Sequence, residues 1–247
     1  MANIGAYDTN DDIFLNDDND LEPVIPQSNY YDIEDLCKLM ESIDPKLYLS
    51  VLNLNARSLI RNFDEYKILL AILPNLFDII TIEETWLNED LEALVIMENY
   101  HFISKPKLMK NEGGGLGIYI KDGINYKHRN DLCNQNREHF DTMFLEIINS
   151  SKGSKNTIIG LLYRSPNNNC IHEFIQYIKH LTDILTKENK EIVLTWDTNL
   201  DLKNYSSKQY IAEYLDSFLS SGFQPKITLP TRVTHHSATI IDHMFVK

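Results

Sequence analysis

Five places in the sequence set polar residues where they could do chemistry together. Asn53 and Asn55 flank Leu54, Asp197 and Asn199 flank Thr198, and Glu83 adjoins Glu84. Tyr163 adjoins Arg164, and Asp242 adjoins His243 near the end of the chain. Each set closes or follows a short apolar run. Carboxylates interleaved with amides form a hard-oxygen donor set, while one imidazole and one phenol can exchange or donate a proton. That combination suits a divalent cation such as Mg²⁺ and attack on a phosphodiester, with carboxylates on the metal and amides and imidazole on phosphate oxygens. Singly, each residue has a plainer role: an Asp-x-Asn caps a turn, a strand-end Glu is a solvated rim charge, a lone His packs. Recurrence at five strand ends argues for one site, because α/β sheets collect ligand residues there.

Positioning such residues takes strands. From Leu47 onward, short β-branched or leucine-rich runs alternate with longer amphipathic segments, which predicts an α/β domain over 47–247. The expected strands are Leu47–Leu54, Phe77–Glu83, Gly115–Ile120, Thr142–Ile148, Thr157–Tyr163, Glu191–Thr195 and Ala238–Val246. Side chains alternate along a strand, so Asn53 and Asn55 share one face while Leu52 and Leu54 enter a core. Two helices follow from apolar spacings of three and four. One carries Ile171, Phe174, Ile175, Ile178, Leu181 and Leu185 after an Asn167–Asn169 cap; the other carries Ile211, Tyr214, Leu215, Phe218 and Leu219. Ser58–Leu73 is a third, less regular helix. Gly113–Gly117 precedes an apolar strand rather than a helix, so it reads as a hairpin turn and not as a phosphate cradle.

The net charge is −13, yet residues 1–50 hold twelve acids against Lys38 and Lys46. The acidity belongs to an N-terminal segment, 1–46, whose first 29 residues lack periodicity and read as disordered, with a short helix over Asp32–Ser42. The remainder is nearly balanced, with 21 bases and 24 acids. No apolar run reaches the roughly 20 residues of a membrane span, and no signal peptide opens the chain. Cys37, Cys133 and Cys170 are too few and too scattered for a disulfide framework or a zinc site. An intracellular protein is expected, nuclear if it acts on chromosomal DNA.

The ordered motifs Asn53-Leu54-Asn55, Glu84-Thr85-Trp86-Leu87, Gly113–Tyr119, Tyr163–Asn167, Asp197-Thr198-Asn199, Pro230–Thr234 and Thr239–His243 resemble the endonuclease/exonuclease/phosphatase superfamily. More narrowly, they are similar to the apurinic-type endonuclease domain of LINE-type (non-LTR) retrotransposons. The resemblance implies a two-sheet α/β sandwich and a DNA-nicking endonuclease dependent on Mg²⁺ (or Mn²⁺), whose relatives carry a reverse transcriptase that this chain does not. It assigns Glu84 to the metal, with Asn53 and Asp242 assisting. It places Asp197 at the leaving oxygen, Asn199, His243 and Tyr163 on the scissile phosphate, and Asn55, Arg164 and Thr239 at the substrate.

Relatives read Gly-Asp-Phe-Asn where this chain reads Trp196-Asp197-Thr198-Asn199, and the stretch Ser221–Pro225 lacks an Asp that many use to orient the histidine. Two alternatives follow: a catalytically inactive descendant, and a small-phosphate or RNA phosphoesterase of the same superfamily. DNA contacts would fall to Lys105, Lys107, Lys110, Lys121, Lys127, Arg129 and Arg232, a modest set implying weak to moderate affinity. Oligomeric state is not encoded legibly.

Overall fold

The computed structural model describes residues 28–44, 48–73, 77–106, 113–135, 139–149, 153–166 and 170–247. The disorder expected for the acidic N-terminus falls largely outside these residues, as do Lys107, Lys110 and the Asn167–Asn169 cap. Twelve strands and four α-helices are found among the described residues. Strands β1 (Val51–Asn55), β2 (Ile79–Glu83), β3 (Tyr100–Lys105) and β4 (Leu116–Lys121) form one sheet in the order β1-β2-β4-β3. The second sheet runs β5-β6-β7-β8-β12-β9, built from Tyr126–His128, Phe140–Ile147, Thr157–Arg164, Glu191–Asp197, Asp242–Val246 and Gln224–Pro225. A small ribbon pairs β10 (Arg232–Val233) with β11 (Ala238–Thr239).

Two parallel pairs, β1 with β2 and β7 with β8, are bridged by helices α2 (Leu59–Ile72) and α3 (Ile171–Lys187), as parallel neighbours require a crossover. The period-two alternation of each strand then sorts three apolar layers. Ile79, Leu116 and Ile118 meet Met143, Leu145, Ile159 and Leu161 between the sheets. On the outer face of the first sheet, Leu52, Leu54, Ile80 and Ile82 pack under Leu59 and Phe63 of α2. On the outer face of the second, Ile158, Leu162, Ile192, Leu194 and Phe245 pack under α3 and α4 (Gln209–Leu219). The result is a four-layer α/β/β/α sandwich.

The expected strands over 157–163 and 191–195 each extend to the polar residue that follows, Arg164 and Asp197. The expected last strand is split at Ile240 and Ile241 into β11 and β12. Strand β3 was not foreseen, since Tyr100–Lys105 is half-buried apart from the exposed His101 and shows no clean alternation. Helix α1 (Ile33–Glu41) begins at the Asp32 cap, whose carboxylate accepts from the Asp35 amide. It belongs to the packed body: Leu36 is buried beside Leu52 and Phe63, and Ser28 bonds the side chain of Thr228. No helix among the described residues is long and apolar enough to cross a membrane.

Candidate active site at one end of the inter-sheet layer

Between the sheets, the side chains change from apolar to polar toward one end. Thr81 and Thr195 reach across from opposite sheets and share a hydrogen bond of 2.9 Å. Asn53 lies level with Thr81, and one step further out come Glu83, Asn55, Asp197 and Asp242, as register and alternation require: Asn53 is opposite Thr81, Asn55 opposite Glu83, and Asp242 opposite Asp197. Glu84 follows β2 and joins them through a turn with positive φ.

Asn55 ties the two sheets together chemically. Its amide donates to Glu84 Oε1 at 2.9 Å and to Asp197 Oδ2 at 2.5 Å, so residues 113 positions apart in sequence share one donor. Asp197 Oδ1 accepts the backbone N–H of Asn199 at 3.1 Å. Asn199 in turn donates its side-chain amide to the Arg164 carbonyl at 2.9 Å, which fixes the end of β8 to the end of β7. One layer deeper, Asn53 turned with its NH₂ inward donates to Glu83 Oε1 at 3.0 Å and to Thr81 at 2.7 Å.

Burial and mutual repulsion dominate the electrostatics. Asp197 is 1 % exposed, and burial first, then the charges of Asp242 and Glu84, push its pKa up to about 8. Glu83, fully enclosed, is raised well above the usual carboxylate range by burial and by Asp197 and Asp242. Asp242 is raised by burial and by Glu84, against opposing pulls from the Thr231 hydroxyl, Arg232 and Arg57. Carboxylates so arranged are short of positive charge.

The loops around them are strained. Among the described non-glycine residues, Arg57, Ser58, Glu84, Trp86, Asn199 and Asn99 have positive φ, and all but Asn99 belong to this end of the sandwich. Glu84 and its neighbours are held there by a backbone lattice: Ser58 donates to the Glu84 carbonyl, Thr85 to Gly115 and Trp86 to Gly114. Strain that the surroundings over-determine is characteristic of functional loops. Beside them, the Trp86 indole nitrogen, Glu84 Oε2 and the Tyr163 hydroxyl all lie within 3.4 Å of the point where a Cβ on Gly113 would sit. Two donors and a carboxylate thus converge on a notch that glycine leaves open.

The strand register corrects two expectations. His243 does not face this cluster. It lies opposite Trp196 on β12, so both point to the α4 side while Asp242 and Asp197 point between the sheets. His243 is 1 % exposed; its Nε2 donates to the carbonyls of Leu200 (3.0 Å) and Ile240 (3.2 Å), and its Nδ1 accepts from the Tyr214 hydroxyl at 2.9 Å. Burial drives its pKa down to about 4, so the ring is neutral and structural. Arg164 likewise turns away from the substrate side. Its guanidinium is buried over the Phe174 ring and donates to the Thr198 carbonyl at 3.1 Å. Thr239 sits on the β10–β11 ribbon, opposite Arg232. Trp196 fills the helix-side core, edge-to-face with Phe218, and leaves the cleft free.

Of the basic residues expected to meet DNA, Lys121, Lys127 and Arg129 lie toward the far end of the sheets, against Asp78 and Glu146. Lys105 pairs with Asp141 at 2.6 Å. Arg232 and Arg57 remain on the rim beside Asp242. The sequence reading passed over the burial of Glu83, the notch at Gly113 and the part of Trp86. The adjacent Glu83-Glu84 pair at a strand end was the available signal for the first.

No family model and no curated protein matches the chain. Solved structures do. The apurinic endonuclease LMAP from Leishmania major superposes with a TM-score of 0.61 at 14% identity, over 83% of this chain and 81% of that one. The endonuclease domain of TRAS1, a telomere-specific non-LTR retrotransposon, does so with a TM-score of 0.57 at 11% identity, over 80% and 84%. The chain has the endonuclease/exonuclease/phosphatase fold. A mannosyl-6-phosphatase from Bacteroides thetaiotaomicron shares this fold with a TM-score of 0.54 at 15% identity, over 81% and 85%. Members of the endonuclease/exonuclease/phosphatase fold therefore include proteins of different substrates, and the choice among them must come from the site.

Proposed function

We propose that this protein is a Mg²⁺-dependent phosphodiesterase that nicks DNA, of the kind found in non-LTR retrotransposons. The observation that carries the reading is the convergence of Glu83, Glu84, Asp197 and Asp242 with Asn53 and Asn55, all-oxygen donors among which burial, and then neighbouring carboxylates, raise Asp197 and Asp242. Such a set fits a hard cation and does not suit a soft one. Glu84 and Asp242 would hold it, with Asn55 and Asn53 orienting the carboxylates. A bound Mg²⁺ would supply charge stabilisation at the phosphate and an acidified water.

The protein's own residues define the rest. Asn55 and the Asn199 backbone hold the Asp197 carboxylate at both oxygens, and its raised pKa brings it into the range where it can move a proton near neutral pH. The Tyr163 hydroxyl and the Trp86 indole nitrogen border the Gly113 notch, where they would donate to phosphate oxygens carrying developing charge. Arg57 and Arg232 on the rim meet flanking phosphates.

The test is relaxation of supercoiled plasmid with Mg²⁺, comparing the wild type with Glu84→Ala and Asp197→Asn. Nicking by the wild type alone supports the reading; equal background for all three overturns it. The burial of His243 favours a second reading, a metal-binding descendant that grips nucleic acid without cutting it. Mg²⁺-dependent DNA binding without nicking would select that one.

A further inference from the structure

On the opposite face of the second sheet from the carboxylate cluster, three chemically different ligand groups come together. His139 precedes β6, Cys170 occupies the N-cap position of α3, and Glu173 lies in its first turn. One donor atom from each lies within 4.8 Å of both others. Cys170 and Glu173 are three apart at a helix start, which sets them on one face. His139 is brought to them by its neighbour: the Phe140 ring packs edge-to-face on Phe174 at 5.2 Å and against Tyr177 at 5.1 Å. Tyr177 is itself anchored through its hydroxyl to the Leu132 carbonyl at 2.8 Å.

Against the expectation from the scattered cysteines that the chain holds no zinc site, we propose that His139, Cys170 and Glu173, which only the fold brings together, form a binding site for a borderline-soft divalent cation of the Zn²⁺ class, distinct from the carboxylate cluster. One nitrogen, one sulfur and one oxygen are the donors that Zn²⁺ accepts, whereas Mg²⁺ takes oxygen alone. Bond lengths of 2.0–2.3 Å put tetrahedral donors about 3.5 Å apart, so the three atoms must close by roughly 1 Å. Glu173 is exposed and its side chain is long enough to make that move. Cys170 is in no disulfide and lies close enough to the buried Arg164 guanidinium to interact with it electrostatically. Three protein ligands leave a fourth position for water. The consequence is mechanical as well as chemical: the cation staples the start of α3 to the start of β6, whose Phe140 pairs with Arg164 at the strand end carrying Tyr163.

The experiment is a Co²⁺ titration of the chelator-stripped full chain in excess Mg²⁺, which saturates hard-oxygen sites and leaves a thiolate site open. The expected result is one equivalent bound with a near-ultraviolet thiolate-to-cobalt band and the strong visible absorption of tetrahedral Co²⁺, both displaced by Zn²⁺. Cys170→Ser removes the thiolate band, and His139→Ala and Glu173→Gln weaken binding by roughly tenfold or more, as loss of even an outer-shell partner does. Cys133→Ser changes nothing. Absence of the band in the wild type, or its persistence in Cys170→Ser, overturns the site. If Cys170→Ser does not fold by circular dichroism, the other two variants decide: unchanged affinity in both overturns it. None of these readouts depends on nuclease activity.

Discussion

Residues 196 and 197 are neighbours in sequence, as are 242 and 243, yet they inhabit different worlds on the two faces of one sheet. On the helix-facing side, Trp196 and His243 are enclosed by Phe218, Tyr214 and Phe245, and every polar atom of the imidazole is bonded. On the inter-sheet side, Asp197 and Asp242 face Glu84 across the gap and repel it and each other. One face is closely packed, with the Trp196 indole nitrogen left without a partner; the other crowds carboxylates whose charge a proton or a cation must relieve. The difference separates stability from function residue by residue along two short strands.

The sharpest way to break the comparison is to remove inter-sheet carboxylates. Glu84→Ala or Asp197→Asn should cut plasmid nicking by on the order of 10²- to 10³-fold, the scale on which a single directed transition-state contact acts. Melting temperature should hold or rise, since like charges are being removed. A large fall in melting temperature would show that these carboxylates serve the fold, and the distinction between the faces would fail.

The helix-facing side should behave oppositely. Trp196→Gly, which restores the residue type that relatives carry, should cost about 4 kcal/mol or more because it empties a packed indole site. Denaturant unfolding measures it. Nicking per folded molecule should not rise, because the indole never enters the cleft. His243→Ala should cost about 3 kcal/mol by leaving the Leu200 and Ile240 carbonyls and the Tyr214 hydroxyl without partners. The pH–rate profile of the folded fraction should keep its shape, whereas a catalytic imidazole would remove one limb.

Much of this was legible beforehand, and the gap has a physical cause. Asn53, Asn55, Asp197 and Asp242 gather at one end of the sandwich with Glu84, and the alternation that places Asn53 and Asn55 on one face needs only local sequence. The same alternation puts Asp242 and His243 on opposite faces, but the functional resemblance of an Asp-His pair overrode it. Arg164 after Tyr163 poses the same conflict. The Gly113 notch was beyond reach for a different reason: it depends on positive φ at Glu84 and Trp86, residue types that carry no sequence signal for that conformation. Likewise Glu83 looks like any strand-end acid until the second sheet covers it.

Stability against pH sharpens the comparison further, because the two faces respond with opposite sign. Asp197 titrates near 8 when folded and near 3.9 when unfolded, so the folded state keeps a proton that the unfolded chain has lost. Its contribution is fully present below about pH 4 and is lost as pH rises through 8. His243 titrates near 4 folded and near 6.5 unfolded, so its contribution is present above about pH 6.5 and is lost as pH falls toward 4. Cation-free protein should therefore lose stability between pH 6.5 and 8. Between about pH 4 and 6.5 the two contributions offset each other, so Asp197→Asn should flatten the alkaline limb and uncover a fall toward acid below pH 6.5, whereas His243→Ala should keep the alkaline limb and extend it down to about pH 4. Denaturant midpoints across the range measure both. Added Mg²⁺ should flatten the alkaline limb of the wild type, since it binds the ionised carboxylates.

The smallest expected effect tests the most local claim. A Cβ on Gly113 would lie 3.3 Å from the Trp86 indole nitrogen and 3.4 Å from both Glu84 Oε2 and the Tyr163 hydroxyl. These are tight contacts, but all are with side-chain ends, and Gly113 needs no left-handed backbone. Gly113→Ala should therefore fold with a change within about 1 kcal/mol, while filling the notch lowers nicking by roughly tenfold, a loss of the order that one misplaced contact produces. Gly123 is the control. Nothing lies within 4 Å of its Cβ position, but its φ of +90° strains any side chain. Gly123→Ala should cost stability of about 1 kcal/mol and leave nicking per folded molecule unchanged. If both alanines lowered activity only in proportion to stability, the notch would be a packing detail and the donors around it would not face substrate.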